Sequence, residues 1–384
     1  MKILHLIVDH QVIERTLRIY EETFPNSNDV IIFSQLPNEN NSKHLIAHKN
    51  SKRVLLGRGA KEGHIYDFSG YSYIIAHYLT LDMIDFIREA PNNIHITWEI
   101  YGWDLYNQFL EPLGFKLSYS DSSKYKKYGF AIKYFPPLFD ILLYITGHHV
   151  DLAFKRKSSF KYICKRVNAI QYCCLYDAKY VEQYAKRSIY SYEVFNYSLS
   201  EVLGDLANSS FLNGNDIMVG NSASYSNNHL YILNYIKKIK LDENSHIIMP
   251  LSYGGSQRYI DEVESCYQSI FGGAVKTLRN YLPLHKYNNI FLCLKAMILS
   301  AWRQESLGTA IMGFYLGVKV FMSEKSPLYR WFKDCNFIVF TIESITEESL
   351  TIGLSQEEKE YNRKMVINHY NNDVFVKTLK SNFK

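Results

Sequence analysis

Six cysteines in 384 residues, none in Cys-x-x-Cys or mixed Cys/His spacing, argue against a zinc module or a disulfide framework. Cys164, Cys173, Cys174, Cys266, Cys293 and Cys335 mostly sit in apolar runs, and they read as free thiols in a reducing compartment. No apolar run approaches the roughly 20 residues a spanning helix needs, so none is expected. The opening Met1–Val8 is apolar too briefly for a signal peptide and reads as a first strand. After it comes Asp9-His-Gln-Val-Ile-Glu-Arg15 and no Gly-x-Gly-x-x-Gly, which weighs against a nicotinamide dehydrogenase. There is no Gly-x-x-x-x-Gly-Lys-[Ser/Thr] loop of an ordinary P-loop NTPase, and no Asp-x-Asp signature that would suggest a metal. A net charge of +5 is too mild to indicate nucleic acid as a partner.

What the chain does contain is enough apolar residue, 47%, for two cores. Strand-like runs at Ile3–Val8, Val30–Ser34, Tyr73–Tyr78, Ile94–Ile100, Ile170–Leu175 and Tyr192–Phe195 alternate with helix-like stretches such as Val12–Thr23 and Asp82–Ala90. A second alternating set runs through Ile217–Val219, His246–Pro250, Ala274–Thr277, Ala296–Ser300, Val318–Met322 and Phe337–Thr341. Strands spaced by helices predict α/β domains with parallel, helix-covered sheets. The expected division is a first domain over 1–198, a small and polar linker over 199–215, and a second domain over 216–350. A C-terminal helical segment, 351–384, is placed to cross back to the first domain.

Two turns in the second half suit a diphosphate. Asp216–Val219 runs into Gly220, Asn221 and Ser222 before the helical stretch His229–Lys240, and Arg303-Gln304-Glu305-Ser-Leu-Gly308-Thr309 opens the apolar helix Ala310–Leu316. A helix N-terminus carries unpaired N–H groups and partial positive charge. Gly permits close backbone approach, Arg pairs with phosphate, and Glu305 can accept from ribose hydroxyls. Between them, Met249-Pro-Leu-Ser-Tyr253-Gly-Gly255 ends a strand on the same sheet edge, where Tyr253 can stack on a base or touch phosphate. Helix capping alone accounts for some of these residues. Together they point to a nucleotide-sugar donor as substrate, with no metal and no other cofactor.

In the first half, Thr97-Trp-Glu99-Ile-Tyr-Gly-Trp-Asp104-Leu-Tyr106 ends a strand in a Gly turn with two carboxylates and four aromatics. Asp104, or Glu99 as deputy, can deprotonate an acceptor hydroxyl, and the aromatic faces can hold sugar rings, although core packing and solvated carboxylates are the plainer reading. His5 and His77 read as satisfied core histidines. Between Lys124 and Arg166 ten Lys or Arg stand against Asp140 and Asp151, flanking the apolar Phe135–Thr146. This stretch, 124–166, is expected to meet an anionic membrane surface.

The order Trp98-Glu-Ile-Tyr-Gly-Trp-Asp-Leu-Tyr106, Val219-Gly-Asn-Ser222 with Ser226, Asn227 and His229, then Pro250, Tyr253, Arg303-Gln304 and Gly308-Thr309 resembles glycosyltransferase family 56. These are the TDP-N-acetylfucosamine:lipid II N-acetylfucosaminyltransferases of enterobacterial common antigen synthesis. The resemblance implies a GT-B-type fold, two Rossmann-like domains facing across a cleft. It implies a TDP-linked amino- or deoxyhexose (N-acetylfucosamine-like) as donor, an undecaprenyl-diphosphate-linked saccharide as acceptor, and a peripheral place on the cytoplasmic face of the bacterial inner membrane. Gly220, Asn221, Ser222, Arg303, Gln304, Gly308 and Thr309 are then donor-site residues, with Asp104 as the matching carboxylate of the first lobe. Two positions depart from the family pattern. Glu99 stands where His is familiar, and Glu305-Ser306 where Gln-Gly is. A protein or soluble-glycan acceptor is one alternative, and a noncatalytic sugar-nucleotide or polysaccharide-binding protein on the same scaffold is another.

Overall fold

The computed structural model describes residues 1–8, 11–34, 51–55, 66–119, 153–195, 198–211 and 214–383. The chain forms two compact units. The first takes Met1–Phe115, the described residues up to Ser198, and the last helix, Asn372–Asn382. The second takes Leu199–Asn371 together with the short stretch after Lys116.

The first unit holds a seven-stranded sheet in the order β3-β2-β1-β4-β5-β6-β7. Its strands are β1 (Ile3–Val8), β2 (Asn28–Ser34), β3 (Ser51–Leu55), β4 (Tyr73–His77), β5 (His95–Glu99), β6 (Ala169–Tyr172) and β7 (Tyr190–Glu193), paired in parallel throughout. β1 is apolar at almost every position because it lies mid-sheet with helices on both faces, which removes the usual in-out alternation. Helix Leu81–Glu89 begins where Thr80 accepts a hydrogen bond from Met83 N at 3.3 Å. Its Leu81, Met83, Ile84 and Ile87 are buried. The last helix places Phe375 and Leu379, four residues apart, on one face with Phe383 following, packed with Ile3, Tyr20 and Ile75.

The second unit holds a six-stranded sheet in the order β10-β9-β8-β11-β12-β13. Here β8 is Asp216–Val219, β9 Ile247–Pro250, β10 Val275–Leu278, β11 Leu294–Leu299, β12 Lys319–Met322 and β13 Phe340–Thr341. All pairings are again parallel. The chain leaves β8 toward β9 on one side and later returns as β11 on the other. That reversal makes the carboxyl ends of β8 and β11 the topological switch point.

Three features differ from the expected organisation. β3 has no counterpart among the strand-like runs, since Ser51-Lys-Arg-Val-Leu55 carries only two apolar residues. Leu199–Leu203 and Gly204–Asn208 are helical where a linker was expected, because Val202, Leu203 and Leu206 are buried in the second unit. Gln356–His369 packs on the second unit with Asn362 and Val366 buried, so only the chain from Asn372 joins the first. The apolar Phe135–Thr146 lies outside the described residues. Among those described, no helix is long and apolar enough to cross a membrane.

Candidate active site

The switch point gathers three loops of the second unit. After β8, Gly220 turns with φ 69, and a Cβ there would lie 2.6 Å from His229 Nε2, so the position requires glycine twice over. Asn227 organises the turn: its Oδ1 accepts from Asn221 N at 3.1 Å and its Nδ2 donates to Ser222 Oγ at 3.0 Å. The loop after β9 is tied in by Ala223 N, which donates to Tyr253 O at 2.8 Å. A Cβ on Gly255 would meet Ala223 O at 2.3 Å, which fixes how closely these backbones approach.

From the loop after β11, Glu305 reaches into the first loop. Its carboxylate accepts from Ser226 Oγ and from Asn227 Nδ2, the latter at 3.5 Å, and pairs with Arg303 Nη2 at 3.1 Å. Ser226 Oγ also lies 2.7 Å from Ser224 Oγ. Asn228 Nδ2 donates to Ser300 O at 2.8 Å, which joins the same two strand ends. Helix Leu307–Tyr315 then starts after Ser306, whose φ of 71 is left-handed and whose side chain makes no cap. Gly308 and Thr309 lie in its first turn, and Thr309 hydrogen-bonds Tyr287, a phenol whose pKa burial raises.

Against this well-connected frame, several buried polar atoms at the switch point have no hydrogen-bond partner. They are Asn221 Oδ1, Arg303 Nε, Ser306 Oγ, Ser300 Oγ and His229 Nε2. Buried polar groups are rarely left unpaired, and each costs desolvation energy unless a ligand or water completes it. His229 is neutral: burial pushes it down to about 3, and its Nδ1 lies 3.0 Å from Tyr259 Oη. Tyr253 is exposed, at 59% of its surface, beside these groups. The arrangement offers a guanidinium, side-chain donors and a helix N-terminus to an anionic ligand, with an aromatic ring at the rim.

Sequence reasoning thus placed Gly220, Asn221, Ser222, Arg303, Gln304, Glu305, Gly308 and Thr309 on two adjacent strand ends, with Tyr253 on the next. Ser300 was not singled out, and Ser306 was noted only as part of the Glu305-Ser306 departure from the family pattern. The signal available for them was position alone, since each is a small polar residue flanking Arg303 at the end of an apolar strand.

In the first unit Asp104 and Glu99 are fully buried. Asp104 Oδ2 accepts from Trp98 Nε1 at 2.8 Å and Leu79 N at 3.2 Å, and Oδ1 accepts from Tyr101 N at 3.0 Å. Burial pushes its carboxyl up to about 6 in spite of these bonds. Both oxygens are therefore committed to the turn that follows β5. That turn presents Trp103, 43% exposed, stacked on Tyr78 with ring centroids 5.6 Å apart. Glu99 Oε2 lies 2.5 Å from His77 Nδ1, and neither atom has a hydrogen bond of good geometry. His77 Nε2 meets His5 Nδ1 at 2.9 Å, and His5 Nε2 meets Asn28 Oδ1 at 3.0 Å. Asn28 Nδ2 donates to Tyr20 O, Glu21 Oε2 and Phe24 O, so its Oδ1 must accept, and His5 carries its proton on Nε2. The two histidines are core residues, as the sequence suggested.

Comparison with known structures places this architecture in a class. The chain is similar over 100% of its length to 98% of sucrose-phosphate synthase from Thermosynechococcus elongatus, with TM-score 0.63 and 10% identity. It is similar over 100% of its length to 99% of Anabaena Alr3699/HepE in complex with UDP-glucose, with TM-score 0.61 and 10% identity. A trehalose-6-phosphate synthase, OtsA, gives TM-score 0.58 and 10% identity over 100% of this chain and 98% of that one. The fold is the GT-B fold of glycosyltransferases. The family model described as 4-alpha-L-fucosyltransferase, glycosyl transferase group 56, matches residues 143–374, more than half of the chain, and the chain belongs to that family. It is a glycosyltransferase that takes its sugar from a nucleotide donor. No curated protein sequence matches it.

Proposed function

We propose that the enzyme transfers an amino- or deoxyhexose from a nucleoside diphosphate, thymidine-linked, to a saccharide carried on undecaprenyl diphosphate, at the cytoplasmic face of the inner membrane. The observation that carries the donor half is the set of unpartnered buried atoms around Arg303 and Ser306 at the switch point. A diphosphate would complete the donors among them, accepting from Arg303 Nε and Ser306 Oγ, with the N–H groups of Leu307–Thr309 beyond. As the glycosidic bond to the donor breaks, negative charge accumulates on the departing diphosphate, and fixed donors there stabilise the transition state more than the ground state. Tyr253 takes the base or the ribose at the rim. No metal is required in this reading, because the guanidinium and helix terminus supply the positive charge.

Asp104 enters as a positioning carboxylate and Glu99 as the partner of His77. The acceptor sugar lies against Trp103 and Tyr78, whose faces suit the C–H side of a pyranose. The amino- or deoxyhexose, the thymidine base and the lipid-linked acceptor rest on the family. HepE, which shares the fold, was solved with UDP-glucose, which supports a nucleoside diphosphate donor in general.

Calorimetric titration of TDP, UDP, GDP and CMP into wild type and Arg303→Ala tests the reading. TDP is expected to bind best, with affinity reduced at least about tenfold in the variant. Failure of wild type to bind any of the four would remove the donor site.

A further inference from the structure

Outside the switch point, the first unit contains a groove of about 1110 Å³. One wall is helix Ala153–Arg166, which carries Lys157, Lys161 and Lys165 at intervals of four, so the three ammonium groups share one face. Lys186, in the left-handed conformation that ends helix Leu175–Ala185, adds a fourth. The remaining lining is apolar or uncharged, with Leu110, Leu113, Phe115, Tyr180 and Tyr184 prominent, and it contains no Asp or Glu. Behind the lining, the Tyr184 ring packs on Phe160 with centroids 4.3 Å apart, and Phe160 stacks on Phe109 at 4.7 Å.

None of the four lysines has an acidic partner among the described residues. The acids of the flanking elements have other partners: Asp177 accepts from Tyr106 Oη at 2.7 Å, Glu182 from Ile189 N at 2.7 Å and Glu111 from Asn107 Nδ2 at 3.4 Å. Four unpaired cations around an apolar trough repel one another and attract an anion that also carries hydrocarbon. A free phosphate satisfies the rim and leaves the trough wet, and a neutral hydrocarbon does the reverse.

We infer that this groove is a docking site for an anionic glycerophospholipid, its phosphate held by Lys157, Lys161, Lys165 and Lys186 and an acyl chain laid along Leu110, Leu113 and Tyr180. The inference deepens the proposed function, because an enzyme that works on a lipid-linked acceptor must reside at a bilayer. Its test does not depend on turnover or on the donor.

The full-length protein is sedimented with vesicles of phosphatidylcholine alone and of phosphatidylcholine with phosphatidylglycerol. Binding is expected only to the second, with a partition coefficient at least about tenfold lower for Lys157→Gln/Lys161→Gln/Lys165→Gln. Lys237→Gln/Lys238→Gln, from the exposed surface of the second unit, serves as the charge control and is expected to bind as wild type does. Leu113→Ser is expected to weaken binding even in high salt, where electrostatic attraction is screened. Circular dichroism melts and TDP titration of the triple variant establish that it is folded. Equal loss in the control, undiminished binding of the triple variant, or full release of the protein by soluble glycerol phosphate would each overturn the inference. If wild type binds these vesicles through the lysines but binds no nucleotide, the docking site stands and the donor reading falls.

Discussion

Arg303 and Glu305 hold each other across one turn of loop, Nη2 to Oε2 at 3.1 Å, with both side chains only 11% exposed. The same carboxylate accepts from Ser226 and Asn227 of the loop after β8, so it clamps two strand ends while leaving Arg303 Nε without a partner. A guanidinium fixed on one edge and open on another is oriented before its ligand arrives, which lowers the ordering cost of binding.

This coupling predicts non-additivity. Arg303→Ala and Glu305→Ala should each weaken TDP binding by about tenfold, and the double variant should be little worse than Arg303→Ala alone. A calorimetric double-mutant cycle measures it. Additive losses would mean that Glu305 acts on the nucleotide directly, as the ribose acceptor suggested by the sequence.

Gly220→Ala brings a methyl group against His229 Nε2 and forces φ 69 on a residue with a Cβ. We expect a loss of about 1–3 kcal/mol in stability, with TDP affinity falling because Asn221 and Ser222 follow in the same turn. Urea denaturation and calorimetry on one preparation report both. A variant as stable as wild type would show that the turn relaxes freely.

His229 gives a pH signature. Its folded pKa, about 3, lies below the ordinary 6.5, so the unfolded chain binds the proton more readily. The stability contributed by neutral His229 is complete above pH 6.5 and is lost progressively as pH falls toward 3. The slope approaches about 1.4 kcal/mol per pH unit below the unfolded pKa. His229→Asn, which can keep a bond to Tyr259, should flatten that slope by about one proton in urea titrations between neutral and mildly acidic pH. Parallel slopes for the two proteins would place the charge cost elsewhere.

The strands were largely legible because buried parallel strands leave apolar runs that stand out between helices, as in β1 and β11. β3 was not, since an outermost strand need not be apolar on both faces. The two turns proposed to hold the donor meet for a related reason: Gly220 and Arg303 each follow an apolar strand, and parallel topology brings such ends to one edge. The chemistry of the acceptor side was not. Asp104 stands in the sequence as a carboxylate in a polar turn, but whether its oxygens face solvent or backbone depends on Leu79, twenty-five positions away. Glu99 likewise takes its partner, His77, from the neighbouring strand.

That ambiguity sets the most decisive substitution. If Asp104 removes a proton from the acceptor, Asp104→Asn keeps the shape of the turn and abolishes only the base, so stability is retained while kcat falls about 10²- to 10⁴-fold. The hydrogen bonds argue for the other outcome. Asn can still accept from Trp98 and Leu79 through one oxygen, but its amide N–H₂ then faces the N–H of Tyr101, setting donor against donor in a buried site. We expect a loss of about 1–3 kcal/mol in stability. The acceptor KM should rise as Trp103 and Tyr78 shift, with kcat reduced less than about tenfold, because the reacting atoms are touched only indirectly. Unfolding and steady-state kinetics together separate the two roles. Full stability with a collapsed kcat would return Asp104 to the position of general base and would require the turn after β5 to open when acceptor binds.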